Sequence, residues 1–164
     1  MWSDKRLVKW GISGGITPFN REHANPVSVD LTLDLYYRYP TETGWSGLQE
    51  IPEKGLVVYP NELFLLSTAE KTIIPPIASA LIFLKSSKAR MGWEHLHAGL
   101  GEPGFDGQWT LEVINHWPYP QRLYAGERFV QICLFDCGDV AKNYKETGHY
   151  QNQKHATIPW QWEE

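Results

Sequence analysis

Cysteine, positive charge and long apolar runs are all scarce in this 164-residue sequence. Two cysteines are too few for the disulfide framework of a small secreted domain, so we expect reduced thiols in the cytoplasm. The formal net charge of −4 argues against a general nucleic-acid binder, which needs a clustered positive field. No window approaches the roughly 20 apolar residues of a membrane span, and the first residues lack a signal-peptide pattern. A small phosphorylated ligand, which needs only local donors, remains compatible with this composition.

Long helical patterns are also missing, whereas turn formers are common, with 14 Gly and 11 Pro. One short helix is predicted at 3–10, with Ser3 as its N-cap and Gly11 at its end. Residues 39–53 have the composition of a loop, and Asp30 is expected on the exposed face of its strand in a structural role. Apolar patterning predicts strands at 27–35, 55–59, 63–68, 73–74, 80–84, 109–114, 122–124 and 128–135. The sequence therefore predicts one all-β domain over 1–141 and a polar tail over 142–164.

The stretch 85–115 concentrates polar residues between two predicted strands. The hydroxyls of Ser86 and Ser87 and the guanidinium of Arg90 suit a phosphate chain, whose oxygens accept several charge-assisted hydrogen bonds. A solvated turn would have the same composition. Glu112 lies among apolar residues, where burying a carboxylate without a partner costs several kcal/mol. It is therefore either on the exposed face of its strand or a functional acid.

The same stretch resembles the dCTP deaminase branch of the dUTPase superfamily. The family pattern SSxAR, AGxxDPGFxG and TLE recurs in order as SSKAR at 86–90, AGLGEPGFDG at 98–107 and TLE at 110–112. Similar segments outside it are NPVSVDL at 25–31, GERFVQICLF at 126–135 and GHYQNQ at 148–153. The resemblance implies a dUTPase-like β-clip barrel (a distorted jelly roll), a homotrimer, and hydrolysis of dCTP to dUTP and ammonia.

The resemblance also implies the site residues. Deamination requires water to attack C4 of cytosine while a base accepts a proton and passes protons to N3 and the departing amine. A half-buried carboxylate of raised pKa can do this, so Glu112 is expected to be the general base, supported by Arg90 and Ser86. The related dUTPases lack a glutamate after TL. The expected nucleotide contacts are Lys85, Ser86, Ser87, Lys88, Arg90, Ala98, Glu102, Thr110, Leu111, Gln131, Tyr144, His149, Tyr150 and Gln153, the last four in a tail that closes over the nucleotide.

A metal site made by the protein is not predicted. Zinc-dependent deaminases carry H-x-E followed by P-C-x-x-C, and the sequence has neither motif. His95 and His97 would lie on one face of a strand, but Cys133 and Cys137 are spaced CxxxC in an apolar run, where free cysteine packs as a small hydrophobe. We expect Mg²⁺ to arrive on the triphosphate.

Two departures from the family pattern keep other functions open. Glu102 stands where the family has aspartate, and the segment between Arg90 and Ala98 is one residue shorter than expected. His149 also replaces a lysine of the family's tail motif. One alternative is hydrolysis of dUTP or of a modified pyrimidine triphosphate in the same fold. The other is a regulator that binds nucleotide without turning it over.

Overall fold

The computed structural model describes residues 1–95 and 98–162, and strands dominate it. Its helices are α1 (Asp4–Trp10), a π-helical turn (Gly11–Gly15), a 3-10 turn (Arg21–His23), α2 (Ser86–Arg90), α3 (Tyr144–Thr147) and a 3-10 turn (Trp160–Trp162). Its strands are β1 (Ile16–Thr17), β2 (Val29–Thr32), β3 (Tyr36–Tyr37), β4 (Pro40–Thr41), β5 (Gly44–Trp45), β6 (Gln49–Glu50), β7 (Leu56–Val58), β8 (Leu63–Ile73), β9 (Ala78–Leu84), β10 (Trp93–His95), β11 (Leu100–Gly101), β12 (Asp106–Asn115), β13 (Gln121–Leu123) and β14 (Arg128–Asp136). The predicted all-β class and the short N-terminal helix are confirmed.

Two four-stranded antiparallel sheets carry the fold, in the orders β1-β8-β12-β10 and β11-β9-β14-β2. Side chains alternate along β12, which buries Leu111 and Val113 and leaves Thr110 and Glu112 partly exposed. The buried side chains of both sheets form one core that includes Leu7 of α1. Burying a leucine fully stabilises the fold by roughly 1.5–3 kcal/mol. This core fixes the orientation of β12, and with it the position of Glu112.

The strand predicted at 27–35 is shorter and more deeply buried than expected. It runs only over Val29–Thr32, and Asp30 is 2% exposed instead of lying on the wet face. The carboxylate of Asp30 can be buried because it bonds to Lys85 Nζ, accepts from Asn25 Nδ2 at 3.0 Å and lies 3.4 Å from Arg128 Nη1. Local patterning could not reveal these partners, because Lys85 and Arg128 are 55 and 98 residues away.

Three other local expectations change. Residues 39–53 contain the hairpin β4–β5 and the strand β6, which pairs with β3. The strands predicted at 63–68 and 73–74 are one strand, β8, because β12 pairs with it along most of its length. Ser3 occupies the N-cap position of α1, but its side chain makes no capping bond.

Two features bear on the predicted environment. No helix within 1–95 and 98–162 is long and apolar enough to cross a membrane. The thiols of Cys133 and Cys137 are free, and Cys133 is buried in β14.

Candidate active site

Glu112 lies on β12 directly opposite Leu65 of β8. Opposed residues of antiparallel strands point to the same face, so the two side chains leave the sheet together. Arg38 faces Leu65 across an isolated bridge, with N–O distances of 2.8 and 2.9 Å between their main chains. Arg38, Leu65 and Glu112 therefore form a row of side chains on one face of the sheet.

A cavity of about 330 Å³ opens beside this row. Its wall combines a few carboxylates, hydroxyls and amides with a larger apolar surface, the combination common in small-molecule sites. The lining residues are Trp45, Leu65, Ala98, Leu100, Glu102, Phe105, Trp109, Thr110, Glu112, Tyr144, Tyr150, Gln153, Thr157, Ile158 and Pro159. Seven of them were predicted from the sequence, namely Ala98, Glu102, Thr110, Glu112, Tyr144, Tyr150 and Gln153.

Glu112 has the environment expected of a carboxylate that exchanges protons. Its side chain is 27% exposed, and its Oε2 atom has no hydrogen-bond partner within the described part of the chain. Burial raises the pKa of Glu112, and the bond from its own backbone amide offsets part of that rise. His95 Nδ1 lies 3.7 Å from Oε2. Glu112 thus lines the cavity with a partly exposed side chain, while its Oε2 atom is buried on the side of His95.

The C-terminal tail covers this cavity from its own chain. Tyr144 accepts a bond from Tyr150 N at 3.2 Å through its hydroxyl, and Gln153 Nε2 donates to Gln108 O at 2.7 Å. Burial raises the pKa of the Tyr144 hydroxyl, and the charge of Glu102 adds to the rise. The tail therefore brings two aromatic rings and an amide to the same space as Glu112.

Further contacts fasten the tail along β12. Asn152 N donates to Asp106 O at 2.6 Å, and Thr157 N donates to Thr110 Oγ1 at 3.1 Å. A Cβ atom added at Gly107 would lie 3.1–3.2 Å from atoms of Gln153, so glycine permits this close approach. The tail is consequently an ordered wall of the cavity.

A second group of predicted residues lies away from the cavity wall, on and around α2. Ser86, Ser87 and Arg90 are exposed on this helix, whereas Lys85 pairs with Asp30 and Lys88 pairs with Glu127. Gln131 of β14 accepts a bond from Ser28 Oγ at 3.2 Å and is paired with Phe83. We call Lys85, Ser86, Ser87, Lys88, Arg90 and Gln131 the α2 group. One chain does not bring this group and Glu112 to the same cavity.

Two predicted residues take other positions. The side chain of Leu111 is 1% exposed and belongs to the core, so it does not line the cavity. His149 stacks on Trp160, with ring centres 4.4 Å apart and planes at 5°.

Leu96 and His97, in the shortened segment before Ala98, lie outside the described residues. Within the described ranges, no group of three or more His, Cys, Asp and Glu side chains is placed to hold a metal ion.

Sequence reasoning missed the hairpin and the far end of the tail. Trp45 lines the cavity although the composition of 39–53 predicted only a loop, and Thr157, Ile158 and Pro159 complete the wall. Arg38 was not singled out either. The only local signal was a tryptophan in a turn-rich segment, which is too weak to indicate a site.

Comparison with solved structures defines the class of fold. The fold is similar to that of a dUTPase from Streptococcus mutans, with a TM-score of 0.51 at 18% identity over 75% of this chain and 88% of that one. It is also similar to the 2'-deoxycytidine 5'-triphosphate deaminase of Agrobacterium tumefaciens, with a TM-score of 0.69 at 17% identity over 81% of this chain. That alignment covers 47% of the Agrobacterium chain. The predicted dUTPase-like fold is confirmed.

Sequence comparison then identifies the family. A family model described as dCTP deaminase-like matches residues 3–137. Curated relatives named "dCTP deaminase, dUMP-forming" include those of Bifidobacterium longum, 31% identical over 94% of this chain and 91% of the relative, and Corynebacterium glutamicum, 32% identical over 87% and 85%. The chain belongs to the dCTP deaminase-like family, as its motifs indicated.

Proposed function

We propose that this chain is a dCTP aminohydrolase with Glu112 as the general base. The observation that carries the proposal is the half-buried Glu112, whose side chain lines a cavity of about 330 Å³ that the tail residues also line. The names of the curated relatives support dCTP as the substrate. The expected reaction is dCTP plus water to dUTP plus ammonia.

Each proton in this reaction can be followed at Glu112. The carboxylate accepts a proton from the attacking water as oxygen bonds to C4, then delivers it to N3. A second proton from the new hydroxyl passes to the amine, which leaves as ammonia when the C–N bond breaks. A raised pKa suits this exchange, because a carboxyl whose pKa is closer to neutrality both accepts and returns protons readily.

The phosphate chain calls for cationic donors, and no lysine or arginine side chain is among the described residues that line the cavity. The α2 group supplies hydroxyls, an exposed guanidinium and the main-chain amides of a helix start, which suit phosphate oxygens. Mg²⁺ would be carried by the triphosphate, whose oxygens are the ligands that this ion prefers. Arg90 and Ser86 would then stabilise the charged substrate beside Glu112.

We infer that a homotrimer brings the α2 group and the cavity residues together, with the α2 group of one subunit completing the cavity of its neighbour. The outer face of the second sheet supports this. Phe83 and Leu100 are 46% and 63% exposed there, and Phe83 is paired with Gln131 of the α2 group. An exposed apolar face rimmed by polar side chains is typical of a subunit interface.

A second candidate reaction adds pyrophosphate release, giving dUMP. The names of the curated relatives favour it, whereas Glu102 departs from the aspartate expected for that step.

Incubation with dCTP and Mg²⁺, followed by chromatography and an ammonia assay, tests the proposal. We expect ammonia and dUTP in equal amounts. Pyrophosphate from dUTP without ammonia from dCTP would favour a dUTPase-like pyrophosphatase instead. Tight dCTP binding with no product would favour a regulator.

A further inference from the structure

The hairpin β4–β5 and the tail meet at one side chain, Arg38. Its Nη1 donates to Ser46 O at 2.6 Å and its Nε donates to Ala156 O at 2.8 Å. Ser46 directly follows the hairpin residue Trp45, and Ala156 directly precedes the tail residues that line the cavity. One guanidinium therefore fixes both segments at the point where each enters the wall.

The position of Arg38 is set by the sheet. It lies in the row with Leu65 and Glu112, so its side chain leaves the sheet on the cavity side. Among the described residues, its only bonds through the side chain are the two to main-chain carbonyls. The two bonds fix the orientation of the planar guanidinium. A lysine, which has a single terminal nitrogen, cannot make both bonds in the same geometry.

The hairpin is held at its base as well. Ser46 is buried, its amide donates to Tyr39 O at 2.9 Å, and its Oγ accepts from Tyr39 N at 3.1 Å. The indole of Trp45 is half-buried and lines the cavity together with Ile158 and Pro159. These three side chains are apolar members of the wall, whereas Glu112 and Thr110 are among the lining residues that supply polar atoms.

We propose that Trp45 is a specificity-determining residue that receives the flat face of the pyrimidine ring, and that Arg38 is the positioning residue that joins it to the tail. The inference rests on the proposed function, because it requires a nucleotide base in this cavity. The face of an indole offers a large, rigid, apolar surface on which an aromatic ring can stack. The polar edge of the base is then left to face Glu112.

The test measures dCTP and tripolyphosphate affinity by calorimetry in the Glu112→Gln variant, which cannot turn dCTP over. Adding Trp45→Ala should weaken dCTP binding by at least about tenfold and leave tripolyphosphate binding unchanged. Trp45→Phe should retain most of the dCTP affinity, because it keeps an aromatic face. Trp117→Ala is the matched control, since Trp117 is 46% exposed and lies outside the cavity wall.

Arg38→Lys should also weaken dCTP binding, and combining it with Trp45→Ala should add little. When two residues act through one contact, the losses of binding free energy in the single variants do not add in the double variant. Losses from independent structural damage do add. Unchanged melting temperatures without nucleotide confirm that the variants fold, and if Trp45→Ala is unstable the comparison rests on Trp45→Phe and Trp45→Leu.

The outcomes separate the two proposals. If Trp45→Ala and Trp45→Leu both bind dCTP as tightly as the Glu112→Gln parent, the role of Trp45 is overturned and the proposed function is not affected. Equal losses for dCTP and tripolyphosphate overturn the role of Trp45 too, since the effect is then not on the base. Failure of the Glu112→Gln parent to bind dCTP overturns the proposed function and this inference with it.

Discussion

Asp34 Oδ2 and His155 Nδ1 lie 2.6 Å apart, although 121 residues separate them. The contact joins the short segment between β2 and β3 to the tail, and the ring of Tyr36 packs edge-on against His155 with ring centres 4.6 Å apart. Together with the bond from Arg38 to Ala156, it holds the tail against the body of its own chain. The position of the tail is thus supported by contacts within one chain.

Glu112→Gln should lower turnover of dCTP by at least about 10²-fold, the lower range for loss of a general base. The amide keeps the shape of the side chain but cannot accept a proton, so dCTP binding should persist. Steady-state rates of ammonia release and calorimetric binding check both parts. Glu50→Gln is the control, because Glu50 is exposed and away from the cavity. Near-normal turnover in Glu112→Gln would remove this residue from its role.

The same variant should change how stability depends on pH. Burial raises the pKa of Glu112, so the folded state binds this proton more tightly than the unfolded chain does. Its contribution to stability is therefore complete below the unfolded carboxyl pKa and is lost as the pH rises through the folded value. Glu112→Gln should raise the melting temperature at about pH 8, and the gain should vanish near about pH 4. A gain that grew on acidification would contradict this assignment.

Mixed trimers can show whether sites are shared between subunits. Glu112→Gln and Arg90→Ala chains should each be inactive alone, but unfolding and refolding them together should restore activity. Random mixing in a closed trimer leaves about one quarter of the sites with both residues intact. Light scattering should give three times the 18.9 kDa chain mass. Mixing Glu112→Gln with the double variant is the control, and no recovery in the first mixture would refute a shared site.

Glu102 should restrict the reaction to deamination. Its carboxylate reaches about one methylene further than aspartate, and a misplacement of roughly 1 Å can cost on the order of 10²-fold in rate. Wild-type protein should therefore accumulate dUTP, and Glu102→Asp should increase pyrophosphate release. Chromatography of the products from dCTP and Mg²⁺ gives the answer. Abundant dUMP from the wild type would show that the longer side chain still serves that step, as the names of the relatives suggest.

Gly107→Ala should weaken the contact between the tail and β12 while leaving the two four-stranded sheets folded. The added methyl would press on Gln153 at 3.1–3.2 Å, so the tail must shift by a few tenths of an ångström. We expect KM for dCTP to rise between about threefold and tenfold, where tenfold corresponds to about 1.4 kcal/mol. Faster hydrogen exchange over 150–157 should accompany it. Gly138→Ala is the control, since no atom lies within 4 Å of its added Cβ, and equal effects in both variants would contradict tail docking.

The strand predictions were right where they depended on local alternation. They were wrong where a position depends on partner residues that are distant in the sequence. The alternation around Leu111 and Val113 predicted the central part of β12 and left open whether Glu112 is an exposed residue or a functional acid. Asp30 was placed on the wrong face because its cationic partners, Lys85 and Arg128, come from much later in the chain. Trp45 was missed for the same reason: the bridge from Arg38 to Leu65 carries its hairpin to the cavity, and no local pattern encodes that bridge.

The tail contacts β12 of its own chain, so truncation of the tail and substitution in α2 would damage different sites of the proposed trimer. A chain truncated before Tyr144 would lose the segment that covers its own cavity, while its α2 group would still complete the cavity of a neighbour. A chain altered in α2 would keep its own tail but leave the neighbouring cavity without its phosphate donors. When either chain is mixed with an equal amount of intact chains, about half of the sites should stay complete. The inactive sites would belong to the truncated chains themselves in the first mixture and to the neighbours of the altered chains in the second.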